Sequence, residues 1–423
     1  MYFIENEQDG LDRETIRQAL KQPLEQCKNL KKVLLIPPDI TRSNSGAGLI
    51  TSLYYQMLTD EGIHVDILPA LGTHTPMTRA EQLRFFGDIP AGHFLVHRWR
   101  NGVTTLGEIP KDFVRELSEG QMDWPIPVQI SDHLLDKSYD LILSIGQVVP
   151  HETAGMANYT KNIAVGCGGR HFINSSHILS AYHGIERTMG NIDTPVRKLF
   201  DYAETHFLSK LPLSYILTVT VTEAERTDII GLYIGGGKEG REAFLRASDL
   251  SQKRNIITVE RPIHTCVTWL DKHEFHSAWL GNKAVYRTRM AMADGGRLVI
   301  MAPGVKNFGE DPEIDRLIRK YGYTGRESIL ALCKIEADLK NNLSAASHIV
   351  HSSSEGRFDI VYAAPLLSKK EVEGVGYQYM DFEEATERYS PDDLRPGFNK
   401  TATGEAVYFV PNPALGLWRT TTR

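Results

Sequence analysis

Short apolar runs alternate with segments of helical periodicity in the first half of the chain, and this alternation restricts the fold more than any other feature. The runs at 32–36, 64–70 and 139–145 are typical of buried strands, and helical spacing follows the first two, at 47–60 and after a capping signal that begins at Thr78. Strands separated by helices form α/β folds with a largely parallel sheet. The pattern therefore predicts an α/β fold, Rossmann-like in its first part, in which the loops after the strands meet at one edge of the sheet.

The chain has 423 residues, which is enough for two domains. A new β-α-β pattern follows Arg261-Pro262, so the predicted boundary lies there. We predict a larger N-terminal α/β domain at 1–262 that carries the catalytic groups, a smaller C-terminal α/β domain at 263–400, and a tail at 401–423. The cleft between the two domains is the predicted site, and the tail, with a strand-like run at 406–410, could return to the first domain.

Composition excludes several classes of function. The net charge is -6 and no polybasic run is present, which argues against nucleic-acid binding. No segment reaches the roughly 20 apolar residues of a membrane span, and the N-terminal sequence lacks the order of a signal peptide, so we expect a cytoplasmic protein. The 4 cysteines are dispersed without a CxxC pair, so neither a disulfide framework nor a thiolate zinc site is indicated.

Reactive side chains concentrate in three loops that follow the apolar runs. The turn-prone, glycine-rich segment 144–184 carries several histidines and Lys161, and the earlier loops contain Asp39-Ile40-Thr41-Arg42 and Gly72-Thr73-His74. Each residue alone has an ordinary explanation, such as a helix N-cap for Asp39. Their shared position after parallel strands instead predicts one catalytic crevice.

The spacing within these loops resembles a known family. Lys161 lies ten positions after His151, and His177 lies sixteen positions after Lys161. Together with Asp39-Ile40-Thr41-Arg42 and Gly72-Thr73-His74, this order resembles the nickel-pincer lactate racemase family of 2-hydroxyacid racemases and epimerases. The resemblance covers most of the chain and is most specific over the first half.

The resemblance implies a cofactor and two catalytic groups. In the family, the lysine is joined through a thioamide to a pyridinium-derived mononucleotide, the nickel-pincer nucleotide, and the last histidine ligates nickel. These roles fall on Lys161 and His177, both as cofactor-binding residues and His177 as the metal ligand. Two further histidines act as acid and base in the family, and these roles fall on His74 and His151. Proteins that synthesise the cofactor would be partners of this chain.

The remaining residues of the resemblance concern cofactor and substrate contacts. Asp39 and Thr41 are expected to contact the cofactor, and Arg42 and Lys283 are expected to bind the substrate. A guanidinium fork suits a planar carboxylate, and imidazoles can exchange the proton of an adjacent hydroxyl. Because no side chain accepts hydride, inversion of C2 through a 2-oxo acid requires an organic hydride acceptor. The implied activity is therefore an isomerase acting on a small 2-hydroxy acid.

The second domain departs from the family pattern. Counting back from Gly295-Gly296, Trp279 stands at the family's tyrosine, Leu280 at its glutamine and Lys283 at its lysine. A slipped alignment would bring Tyr286-Arg287 into that position instead. On one predicted helix, Arg287 shares the face of Lys283, which favours a polar or acidic 2-hydroxy acid longer than lactate.

Two other functions remain open from the sequence. Gly235, Gly237 and Gly240 satisfy GxGxxG between a predicted strand and helix, and Glu260 follows after the next strand. This pattern would suit an NAD-dependent 2-hydroxyacid dehydrogenase or a non-enzymatic nucleotide-binding module. A hydrolytic zinc site is poorly supported, because His171 and His177 lack the zincin spacing.

Overall fold

In a computed structural model that describes residues 1–25, 27–223 and 226–421, the chain divides into two units. The first unit comprises Met1–Leu179 and Arg187–Asn255, and the second comprises Ser180–Glu186 and Ile256–Arg423. The predicted boundary at 262 lies after the strand Ile256–Val259. The structure assigns that strand to the second unit because it pairs with a strand near the C-terminus.

The first unit is built on a six-stranded mixed sheet. Four neighbouring strands run parallel, and the other two, Tyr2–Glu5 and Arg226–Gly236, are antiparallel to their neighbours. In sheet order, the strands are Tyr2–Glu5, Arg226–Gly236, Leu213–Glu223, Leu141–Gln147, Lys32–Ile36 and His64–Ile67. Two small antiparallel pairs accompany this sheet, Val103–Ile109 with Ile126–Ser131 and Pro150–His151 with Gly155–Met156.

Helices cover both faces of this sheet. Alternate residues of its strands therefore bury their side chains in two different hydrophobic clusters. Val33 and Leu35 belong to one hydrophobic cluster, and Leu34 and Ile36 belong to the other. The α-helices are Arg13–Ala19, Gln22–Glu25, Ala47–Asp60, Arg79–Phe86, Lys111–Leu117, Arg170–His183, Ile185–Thr188, Pro195–Ala203 and Gly237–Asn255. Shorter 3₁₀ turns lie at Ile40–Ser45, Ala91–His93 and Asp132–Leu135, and π-helical turns lie at Asn162–Gly166 and Glu204–Leu208.

The second unit contains its own six-stranded sheet, parallel except at one edge. In sheet order, the strands are Gln378–Tyr379, Phe358–Ala363, Met292–Met301, Ile263–Trp269, Ala406–Val410 and Gly397–Lys400. A parallel pair, Ile256–Val259 with Leu417–Thr420, lies apart from it. The helices are Ala278–Gly281, Lys283–Thr288, Pro312–Tyr321, Arg326–Ile335, Ala337–Lys340, Leu343–His351, Lys369–Gly374 and Phe382–Arg388, with a 3₁₀ turn at Pro413–Leu415.

The predicted α/β class is confirmed, as are several element bounds. The helix predicted at 47–60 and the strand predicted at 406–410 have those limits, and Thr78 forms the expected capping box with Glu81. In the tail, Ala406–Val410 pairs with Ile263–Trp269 and the final strand pairs with Ile256–Val259, and a return of the tail to the first unit stays a prediction. Residues 422 and 423 of the predicted tail lie outside the described residues. None of the described helices has the length and hydrophobicity needed to cross a lipid bilayer.

Gly155 lies in a tightly packed part of the chain that follows the strand Leu141–Gln147. It has φ +78°, and a Cβ there would lie 1.9 Å from the carbonyl oxygen of Asn191. Gly62 has a similar φ of +75°, but a Cβ on it would have no heavy atom of the described residues within 4 Å, apart from its own neighbours in the chain. Gly62→Ala should cost about 1–2 kcal/mol of left-handed strain. Gly155→Ala should cost roughly 1–3 kcal/mol more because backbone must move. Urea denaturation of both variants measures the difference, and equal losses would contradict the packing described.

Candidate active site

Asp39 joins two of the three predicted loops. It follows the strand Lys32–Ile36 and caps the 3₁₀ turn, accepting hydrogen bonds at Oδ1 from the Thr41 amide at 3.1 Å and from the Thr41 hydroxyl. Its other oxygen, Oδ2, accepts from Nδ1 of His74 at 2.6 Å. The side chain is therefore an N-cap with one oxygen and an anchor for the imidazole with the other.

The second loop holds His74 in a defined tautomer. Gly72 has φ +56°, its amide donates to the carbonyl of Gly166 at 2.8 Å, and the His74 amide donates to Leu71. Because a carboxylate oxygen can only accept, Nδ1 of His74 carries the hydrogen in this bond, and Nε2 is the nitrogen that can take up and release a proton. His74 therefore presents a basic nitrogen, and Asp39 is placed to stabilise the imidazolium that forms when that nitrogen takes a proton.

The protonation state of Asp39 follows from its surroundings. Asp39 is 4% exposed, and burial by itself would raise the pKa of its carboxyl group. The neighbouring His74, the hydrogen bonds from His74 and Thr41, and the charge of Arg42 outweigh burial and leave the pKa below its usual value. Asp39 is thus an anion at neutral pH, as its bond to His74 requires.

His151 has the opposite tautomer. It lies on the strand Pro150–His151, which forms a short hairpin with Gly155–Met156. Its Nδ1 accepts hydrogen bonds from the amides of Thr153 at 3.1 Å and Ala154 at 3.4 Å. Two amide donors directed at Nδ1 leave the hydrogen on Nε2. In this state His151 is a proton donor, which complements the basic nitrogen of His74.

Lys161 lies at the start of the π-helical turn Asn162–Gly166 and is largely withdrawn from solvent. Burial lowers the pKa of its amine to about 8. The charge of Arg42 lowers this pKa further, while the carboxylates of Glu152 and Asp39 raise it. The amine of Lys161 is therefore coupled electrostatically to the loop that carries Asp39 and Arg42. Its amine is neutral in a larger fraction of molecules at neutral pH than that of a surface lysine.

His177, the predicted metal ligand, has a defined tautomer. It lies on the helix Arg170–His183, and its Nδ1 donates to the carbonyl of Ile173 at 2.6 Å, so the lone pair is on Nε2. Burial lowers the pKa of His177 to about 4; the bond to Ile173 opposes this effect, and the nearby charge of Lys161 adds to it. A neutral imidazole with a fixed tautomer is the form that binds nickel or zinc. No group of three or more His, Cys, Asp or Glu suited to a metal ion is found among residues 1–25, 27–223 and 226–421.

Glu152 is a charged group of this cluster that sequence reasoning missed. Its Oε2 lies 3.5 Å from Nδ1 of His151, and its charge acts on both Lys161 and His177. The only signal in the sequence was its position directly after His151, which is weak because acidic residues are common in turns. Glu152 connects the His151 hairpin electrostatically to the other predicted site residues.

The structure thus brings Asp39, Thr41, Arg42, His74, His151, Lys161 and His177 into one coupled cluster within the first unit. His171 is exposed. Lys283 belongs to the second unit, where it is buried with its Nζ 5.4 Å from the ring centroid of Phe275, and its substrate-binding role stays a prediction. The predicted position of the site in a cleft between domains also stays a prediction.

The predicted helix around Lys283 is wrong in detail. It is broken at Asn282 into Ala278–Gly281 and Lys283–Thr288, because Ser277 caps one segment and Asn282 ends it with ψ near 0°. The side chain of Arg287 donates to the carbonyl of Gly416, and that of Arg289 bonds to Glu186 and to two backbone carbonyls. Both arginines anchor the second unit, so they give no support to the expectation of an acidic substrate.

The glycine motif at 235–240 lacks the context of a dinucleotide site. Its strand, Arg226–Gly236, is antiparallel to both neighbours, whereas the dinucleotide fingerprint requires a parallel β-α-β unit. A Cβ on Gly240 would lie 2.9 Å from Tyr215 and 3.3 Å from Tyr159, so this glycine makes room for two aromatic rings. The dehydrogenase and nucleotide-binding alternatives therefore lose the feature that suggested them.

A model of a known family matches the part of the chain that contains this cluster. The family model described as lactate racemase N-terminal domain matches residues 4–189, which include every first-unit residue of the cluster. This part of the chain is therefore similar to the lactate racemase N-terminal domain. No curated protein sequence matches the chain significantly.

Solved structures extend the lactate racemase likeness to the fold of the whole chain. A crystal structure of a protein from Thermotoga maritima is 25% identical with a TM-score of 0.86, and the match covers 99% of this chain and 100% of that chain. The lactate racemase apoprotein from Thermoanaerobacterium thermosaccharolyticum is 16% identical with a TM-score of 0.70, covering 96% of this chain and 92% of that chain. At 16% identity the likeness concerns the fold. Residues 4–189 are thus similar to the lactate racemase N-terminal domain, and the whole chain is similar in fold to a lactate racemase apoprotein.

Burial of Lys161 predicts a pH-dependent effect on the stability of the apoprotein. The folded-state pKa of about 8 lies below the ordinary value of about 10.4, so between these values the unfolded chain binds more protons than the folded chain. The free energy of unfolding of the wild type should therefore rise with pH across this window. Lys161→Met should be more stable than the wild type at pH 7, and the difference should shrink towards pH 10.

Urea denaturation at pH 7 and pH 10 measures this effect. The exposed Lys137, changed to Met, is the matched control and should show no such pH-dependent difference. An advantage of Lys161→Met that is the same at both pH values would contradict the effect of burial on the amine.

Proposed function

We propose that this chain is a nickel-pincer-nucleotide-dependent racemase or epimerase that inverts C2 of a 2-hydroxy acid. The observation that carries the proposal is the opposite protonation of two histidines in one cluster. His74 is held with a basic Nε2 and His151 with a proton on Nε2, beside a lysine of lowered pKa. Such a pair can exchange a hydroxyl proton from two directions, as a racemase requires.

The residues present fit the implied cofactor. Lys161 would hold the nucleotide, because an amine must be neutral to form a thioamide and burial favours the neutral form. Neutral His177 would ligate nickel through Nε2, and Asp39 and Thr41 would contact the nucleotide from the neighbouring loop. When bound, the group supplies an electron-poor ring that accepts hydride from C2 and returns it.

Arg42 and the two histidines account for the substrate. The Arg42 guanidinium acts on both Asp39 and Lys161, so a carboxylate bound to it would lie beside the lysine. Nε2 of His74 would take the proton of the C2 hydroxyl, and the imidazolium so formed would be stabilised by Asp39. His151 would hold its Nε2 proton towards the same oxygen, and the two residues would exchange roles for the opposite stereoisomer.

The proposal also covers partners and location. Lys283 would bind the substrate from the second unit, and proteins that synthesise the cofactor would load Lys161 in the cytoplasm. Neither nucleic acid nor a membrane has a role. The side chain that the substrate carries beyond C2 is tested by C2 exchange with lactate, malate, phenyllactate and gluconate.

Attachment of the cofactor can be measured directly. Protein produced with the cofactor-synthesis machinery should carry a nucleotide-sized adduct on Lys161 in its intact mass, and protein produced without it should be an inactive apo form. Lys161→Arg, which keeps the charge but cannot be acylated in the same way, should carry no adduct. Full activity with added NAD and no adduct would instead establish a dehydrogenase.

The two histidines should both be required for turnover. In the loaded enzyme, His74→Asn and His151→Asn should each lower C2 exchange by about 10²–10⁴-fold, because each removes a general acid or base. His171→Asn is the matched control, since His171 lies in the same helix as His177, Arg170–His183, but is exposed. If both active-site variants keep turnover within about threefold of that control, the acid–base assignment is wrong.

A further inference from the structure

One helix face of the first unit carries three charged residues that the predicted chemistry does not use. Arg197, Asp201 and Glu204 lie at i, i+4 and i+7 along Pro195–Ala203 and the π-helical turn that continues it, so they share one side of the helix. Arg197 is 1% exposed and Glu204 is 8% exposed. Buried charges are costly unless they are well paired, so this face requires an explanation.

Two of these residues bind the segment that precedes Lys161. Nη2 of Arg197 donates to the carbonyl of Met156 at 2.7 Å. The hydroxyl of Thr160 donates to Oε2 of Glu204 at 3.0 Å, and Tyr215 donates to the same oxygen at 2.6 Å. The helix face therefore holds both ends of residues 156–160.

The held segment contains unfavourable backbone. Asn158 and Tyr159 have φ +66° and +57°, in the left-handed region that non-glycine residues rarely adopt. The tyrosine is the more demanding, because bulky residues rarely adopt positive φ. Its ring lies 4.5 Å from that of Tyr215 and 5.3 Å from that of Phe244, in the space that Gly240 leaves.

The chain is fixed again immediately after Lys161. Nδ2 of Asn162 donates to the carbonyl of Ile36 at 3.1 Å and to the hydroxyl of Ser144 at 3.0 Å. These partners lie in two adjacent parallel strands of the sheet. Lys161 is thus the residue between a strained, helix-held segment and an anchor to the sheet.

Stability alone does not explain Arg197. Within the described part of the chain, its Nε and Nη1 are buried without a hydrogen-bond partner, and its guanidinium lies 4.2 Å from the ring centroid of Phe244. A buried guanidinium with one side-chain hydrogen bond is a weak choice for stability, since replacing buried ion pairs by apolar residues is often neutral or stabilising. Its one hydrogen bond goes to the segment before Lys161.

We propose that Arg197 and Glu204 are positioning residues that hold residues 156–160 in their left-handed conformation and so direct the side chain of Lys161 into the site. Gly240, which the sequence suggested for a nucleotide, serves this arrangement by accommodating the rings of Tyr159 and Tyr215. The inference rests on the proposed role of Lys161 as the attachment residue. It concerns how the amine is presented and not what is attached to it.

The test is the pH profile of Lys161 acylation in the apoprotein. N-acetoxysuccinimide is reacted at pH 7 to 10, and the rate at Lys161 is followed by peptide mass spectrometry. The charged and titratable groups that act on this amine are Arg42, Glu152, Asp39, Arg197 and His177. None of them is changed by Thr160→Val, which removes only the hydroxyl that binds Glu204.

In Thr160→Val, the midpoint of Lys161 acylation should shift to higher pH, because a released segment exposes the amine to water. Thr160→Ser, which keeps the hydroxyl, should restore the wild-type profile. Thr51→Val is the matched control, since Thr51 is fully buried in the same unit and its hydroxyl has no hydrogen-bond partner among the residues that the structure describes. Glu204→Gln, which keeps an acceptor for Thr160, should shift the midpoint less than Thr160→Val. Arg197→Met should also shift it to higher pH, but this variant removes a positive charge that acts on the amine together with the bond to Met156, so it does not separate the two effects.

A lower melting temperature in Thr160→Val with an unchanged Lys161 midpoint would reduce this helix face to an ordinary structural element and overturn the inference. Because Arg197→Met could unfold the domain, Thr160→Val decides the question. Failure of the proposed function would be seen separately, as the absence of an adduct on Lys161 in loaded wild-type protein. The acylation profile needs no cofactor, so the two failures are distinguishable.

Discussion

The hydrogen bond between Asp39 and His74 is the interaction on which the site depends. A single buried carboxylate ends one loop by capping its 3₁₀ turn and fixes the imidazole of the next loop. Both loops follow parallel strands, so the sheet sets their separation and the carboxylate sets the tautomer. Removal of that charge would leave the loops near each other but would free His74 to present either ring nitrogen.

Burial then gives each remaining group a different protonation state. It lowers the pKa of Lys161 to about 8 and that of His177 to about 4, whereas hydrogen bonds and nearby cations keep Asp39 anionic in spite of burial. An anion, a readily neutralised amine and a neutral imidazole therefore coexist in one cluster. This separation of protonation states is what acid–base chemistry and metal ligation at neutral pH require.

Local sequence signals correctly predicted those helices and strands that depend on residues close together in the chain. The helix at 47–60, the capping box at Thr78 and the strand at 406–410 follow from periodicity and turn residues. The helix predicted around Lys283 is broken at Asn282, whose side chain donates to the hydroxyl of Tyr377, a residue far away in sequence. The glycine motif at 235–240 failed because strand direction, which short motifs do not encode, is antiparallel there.

The sequence by itself determined the α/β class through its hydrophobic periodicity, and the order of Asp39, His74, His151, Lys161 and His177 along the chain predicted them as candidate site residues. Only the tertiary structure decided how those residues are protonated and held. The bond from His74 to Asp39, the amides directed at His151, the carboxylate of Glu152 and the anchors at Arg197 and Glu204 join segments that are distant in sequence or depend on backbone geometry. Protonation and orientation depend on burial and on partners in space, and neither can be read from residue order.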